Sequence, residues 1–124
     1  VSVAKSTIRV KGTKRVPQVE ADIAQLSEKV KVMVEGVLEA YIKEDANKAK
    51  ELATAINDID NEFYAIYQQC IDEMKVDSEL VLGATDYMLV ARYLKRIGDY
   101  VTNICEWIVY LKTGKVVELN TSKK

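Results

Sequence analysis

Three stretches of this chain carry apolar residues at alternating steps of three and four. The first runs Val19, Ile23, Leu26, Val30, Met33, Val37, Ala40. The second runs Ala49, Leu52, Ile56, Ile59, Phe63, Ile66, Cys70, and the third Leu80, Ala84, Tyr87, Ala91, Leu94, Gly98, Val101, Cys105, Ile108. A helix completes a turn in about 3.6 residues, so each set falls on one stripe of one helix. Each stripe is a heptad-like seam, the pattern of helices packed in a left-handed bundle.

The punctuation between the seams agrees. Pro17 suits the first turn of a helix. Asp45 suits a cap, with Glu44 beside it marking a short turn. Asp77 or Ser78 suits a second cap, and Gly114 a helix exit. These signals predict helices over 17–43, 46–75 and 78–113. At 1.5 Å per residue they are rods roughly 40–50 Å long. Two short turns make neighbours antiparallel, so the expected fold is all-α, an up-down-up three-helix bundle.

Composition sets the outer limits. With 124 residues, 48% of them hydrophobic and one Pro, the chain is ordered and needs neither disulfides nor metal to fold. Eighteen basic residues against 19 acidic give a net charge of −1, which makes no case for nucleic acid. No helix is one-sidedly basic in the manner of a membrane-surface protein, and no apolar run approaches the ~20 residues of a membrane span. There is no histidine, which excludes Ser-His and Cys-His nucleophiles and Glu-x-x-His metal ligation. Cys70 and Cys105 lie on the seams without a CxxC partner; a disulfide or redox site is one reading, and two buried thiols in a reducing, cytoplasmic compartment is the one preferred.

Ala84, Ala91, Gly98 and Cys105 fall seven apart on the third seam and are all small. Such a row lets another helix approach closely, and Gly98 within a helix implies a packing reason. Ordinary core packing accounts for it without a ligand.

Residues 1–11 (VSVAKSTIRVK) align without gaps to residues 102–112 (TNICEWIVYLK), and a glycine follows each at Gly12 and Gly114. The first segment therefore reads as the end of the last helix of a preceding repeat. Residues 12–16 are then a linker, 17–114 a bundle and 115–124 a polar tail. Lys11, Lys14 and Arg15 near the linker read either as a contact for phosphate or acidic lipid, or as a solvated connection.

The run ARYLKRIGDYVTNICEWIVYLKTG, residues 91–114, resembles the signature of the PhoU family, of the type R-Y-L-E-R-I-G-D-H-A-x-N-I. Residues 4–17, AKSTIRVKG followed by RVP, resemble the junction between that family's two repeats. The resemblance implies tandem three-helix bundles and a negative regulator of phosphate uptake. It implies a cytoplasmic adaptor, not an enzyme, linking a phosphate ABC transporter, through its ATPase subunit, to a sensor histidine kinase. An alternative is the cytosolic PhoU-like tail of a sodium/phosphate symporter, which differs in what lies upstream. A metal-dependent phosphatase is a third reading, opposed by the lack of histidine and of an evident nucleophile.

The family also carries an acidic motif on its second and third helices, at which some members bind iron or zinc. The resemblance places it at Asp58 and Glu62 on the second helix and at Asp99 on the third. Residues four apart share a helix face, so such pairs can converge on a hard cation. Lys95, however, stands in the first acidic place on the third helix, and Tyr100 replaces the family's histidine. One reading is a metal cluster at Asp58, Glu62 and Asp99, helped by Asn103 and Glu106. The other is a hydrated face in which the Lys95 ammonium pairs with Asp99 or, across the helices, with Asp58. Arg92, Lys95 and Arg96 form a cationic turn, read as an inorganic-phosphate contact or as an i, i+4 network with Asp99. Trp107 and Tyr110 lie in a run that is apolar around most of the helix. Beyond burial in the chain itself, they offer an interface for a missing repeat or for a homodimer.

Overall fold

A computed structural model describes residues 14–114 and Leu119. The helix end expected over 1–11, with Lys11, and most of the tail expected over 115–124 lie outside the described residues. Three helices follow in order: α1 (Pro17–Lys43), α2 (Ala46–Val76) and α3 (Val81–Thr113), with a 3-10 turn, Ser78–Leu80, leading into α3. The third helix was expected to start at 78. Its first turn instead winds tighter, because Asp77 accepts a hydrogen bond from the Glu79 amide at 3.0 Å and caps that turn.

The other ends follow the residues that sit there. Pro17 occupies the first turn of α1. The Asp45 carboxylate caps α2, accepting from the Lys48 amide at 3.0 Å. Gly114 ends α3 in the left-handed region, φ 73°, and its amide donates to the Tyr110 carbonyl at 2.7 Å. The end of α1 has the same geometry without glycine: Glu44 takes φ 52°, and the Asp45 amide reaches back to the Ala40 carbonyl at 2.9 Å.

The seams meet in a single core. Every residue of the second and third seams is buried, and in the first only Ile23 and Met33 are partly exposed. Leu26, Ile56, Ile59, Ile108 and Val109 are among the fully buried side chains. Cys70 and Cys105 are free and buried, and burial pushes each thiol up to about 11. At Gly98, a methyl group would meet Ile59 at 3.5 Å and Ile56 at 3.7 Å, which is ordinary contact. The small row therefore belongs to the core, but Gly98 is not demanded by a close approach. The tight place is Gly36 on α1, where a Cβ would fall 2.9 Å from a Leu52 methyl of α2.

The entry to α1 is tied to the rest of the bundle. Lys14 pairs with Asp77 and, at 3.6 Å, with Glu79. Arg15 engages Glu20 through two nitrogens, Nε at 2.8 Å. The Val16 amide donates to the Tyr87 hydroxyl of α3 at 3.0 Å, and that hydroxyl donates to Glu20. Lys14 and Arg15 are thus exposed but paired with acids of their own chain.

Candidate functional site

Position beside a seam decides which neighbour a helical residue faces. Each residue advances about 100° around the axis, so the residue after a seam position and the residue before it lie on opposite flanks. Antiparallel neighbours bring matching flanks together, and parallel neighbours bring opposite flanks together.

Asp60 follows Ile59 on α2, and Lys95 and Asp99 follow Leu94 and Gly98 on α3. These helices run antiparallel, and the three side chains meet. The Lys95 ammonium lies 3.4 Å from Asp99 and 3.9 Å from Asp60, and 5.8 Å from the centre of the Phe63 ring. The Lys95 side chain is only 15% exposed.

Asp58 and Glu62 precede Ile59 and Phe63, so they point the other way, toward α1. Glu62 pairs with Lys29, itself before the seam residue Val30, at 2.7 Å. That hydrogen bond, aided by the charges of Glu62 and Asp58, raises the Lys29 pKa. Asp58 is exposed on this flank. The expected convergence of Asp58 and Glu62 with Asp99 therefore does not form, and the cross-helix partner of Lys95 is Asp60, not Asp58. Among the described residues, no three acids or cysteines gather as a metal ion would require. With an ammonium between Asp60 and Asp99 and a second lysine on Glu62, these residues do not fit a metal cluster.

Asp60 and Lys29 were not singled out from the sequence. The signal was present, since each sits one step from a seam residue on the flank that faces its partner. Arg92 and Arg96 are exposed, while Lys95 turns inward. Asn103 is exposed, and Glu106 accepts a hydrogen bond from the Leu119 amide at 3.0 Å.

The opposite flank of α3 is apolar. Tyr93, Ile97, Tyr100, Ile104, Trp107 and Leu111 recur at steps of four and three, and all are exposed, Tyr100 by 57% and Trp107 by 52%. Trp107 stacks on Tyr110 with ring centroids 5.4 Å apart. Ile104 and Trp107 precede seam residues, and α1 runs parallel to α3, so they meet Leu38 and Tyr41, which follow seam residues on α1. Together with Asn103 these four line an open groove. The molecule thus carries a second heptad-spaced stripe, outside its core.

A family model described as the PhoU domain matches residues 23–108. The chain belongs to the PhoU family. A phosphate-specific transport system accessory protein PhoU homolog of Clostridium acetobutylicum is 37% identical over 120 residues, 97% of this chain and 54% of that protein. A homolog of the same description from Streptococcus pneumoniae is 32% identical over 118 residues, again 54% of its length. The crystal structure of the phosphate transport system regulatory protein PhoU from Streptococcus pneumoniae matches with a TM-score of 0.84 and 31% identity, over 94% of this chain and 54% of that one. This PhoU-family chain spans about half the length of these relatives. No helix among its described residues is long and apolar enough to cross a membrane.

Proposed function

We propose that this chain is a regulatory module of a phosphate-specific transport system and acts by docking, without catalysing a reaction. The observation that carries the reading is the PhoU-domain match over residues 23–108, joined to a fold shared with a phosphate transport regulatory protein at a TM-score of 0.84. The geometry favours docking over chemistry. Glu62 is paired with Lys29, and Asp60 and Asp99 with Lys95, whereas the exposed surface carries the apolar stripe from Tyr93 to Leu111. Solvent-facing rows of this kind mark association surfaces. The partners of this reading are the ATPase subunit of a phosphate ABC transporter and a sensor histidine kinase, with a homodimer as the resting form in the cytoplasm.

Deletion of the native gene tests it. Phosphate uptake and a phosphate-starvation reporter should both stay on in high phosphate, and the intact gene should restore repression. Unchanged uptake and an unchanged reporter in the deletion strain would overturn the reading. Loss of uptake control with normal kinase signalling would remove the kinase from the proposed partners.

A further inference from the structure

Lys95 occupies the place where the family resemblance puts an acid, and it does not point away from the acids that remain. We propose that the Lys95 ammonium is the resident cation of this bundle, and that it closes the carboxylate pair Asp60 and Asp99, between α2 and α3, to divalent metal ions. The inference is independent of the phosphate-regulation reading and goes beyond it.

Three observations converge. Lysine is seldom this buried unless its charge is paired, and Lys95 is 15% exposed with two carboxylates, Asp99 at 3.4 Å and Asp60 at 3.9 Å. The Phe63 ring adds a face 5.8 Å from the ammonium on the same side. The other acids of the inherited motif are turned away on the opposite flank of α2, where Glu62 holds Lys29 at 2.7 Å. A divalent ion entering beside Asp60 and Asp99 would meet a like charge already in place. It would also find fewer carboxylates than hard cations gather. The ammonium is tethered, so the charge it supplies does not depend on metal supply.

The test uses the full-length protein from its native gene, stripped with EDTA and then exposed to zinc or manganese. Metal content is measured in the wild type, Asp99→Asn, Lys95→Glu and Lys95→Gln, with folding checked by circular dichroism. The wild type should hold no more metal than Asp99→Asn. Lys95→Glu should hold one further equivalent. Lys95→Gln, close in size to the lysine, should melt lower than the wild type in EDTA and recover part of the loss in manganese, while the wild type melts alike in both. Metal in the wild type that Asp99→Asn removes would overturn the proposal. So would a folded Lys95→Glu with no added metal, or a Lys95→Gln that melts like the wild type.

Discussion

At the scale of single residues, two polar groups, one buried and one partly so, show how the bundle treats charge. Lys95 is satisfied across α2 and α3, and Tyr87 across α1 and α3. Burial, reinforced by its hydrogen bond to Glu20, pushes the Tyr87 hydroxyl up to about 12. A folded-state pKa above the ordinary value of 10 means the folded protein keeps this proton longer than the unfolded chain. Its stabilisation is therefore complete below pH about 10 and is lost as pH rises toward 12. Tyr87→Phe should cost about 1–2 kcal/mol at neutral pH, because the Val16 amide and Glu20 both lose a partner. Urea melts at pH 7 and 11 check this; the gap between wild type and variant should narrow at the higher pH. The candidate site was only partly legible at this scale. Lys95 and Asp99 could be read as a pair from their spacing, whereas Asp60 and Lys29 could not, because spacing along one helix does not say which neighbour a flank faces. That information lies in the register of each residue against the seam and in the direction of the neighbouring helix.

At the scale of elements, the seams and caps were the most legible part. Asp45 and Asp77 cap the starts of α2 and of the 3-10 turn, Gly114 ends α3, each for the reason its chemistry gives, and the seam residues of α2 and α3 are all buried. Two backbone positions follow less favourable choices. Glu44 holds the left-handed conformation, φ 52°, that ordinarily falls to glycine at the end of a helix. Glu44→Gly should raise stability by about 1 kcal/mol, the cost of that conformation for a residue with a Cβ. Gly98 pays helix propensity without needing the space, since a methyl there meets Ile59 at 3.5 Å. Gly98→Ala should likewise gain about 1 kcal/mol, seen as a higher urea midpoint with unchanged slope. Gly36 is the opposite case, for its Cβ would fall 2.9 Å from Leu52, so Gly36→Ala should gain less than Gly98→Ala. The sequence pointed to Gly98 because it lies on a seam; the tight approach is at Gly36, beside Val37, where no heptad position drew notice.

At the scale of the whole molecule, the three helices divide their surfaces by flank. One flank of α3 closes on α2 through Lys95 and Asp99, and the other leaves a heptad-spaced apolar stripe open beside Leu38 and Tyr41 of α1. Apolar residues around much of the circumference near Trp107 were visible in the sequence. Their division into core and exterior was not, because both sets repeat with the same period and differ only by one residue in phase. The docking reading depends on that exterior stripe. The direct test is the affinity of the full-length protein for the transporter's ATPase subunit, measured for the wild type and for the double variant Tyr100→Glu, Trp107→Glu. Binding should weaken at least about 30-fold, as expected when central aromatic anchors are lost, with the helical signal and melting temperature unchanged. Equal affinity in a folded double variant would contradict the claim that α3 docks through this stripe.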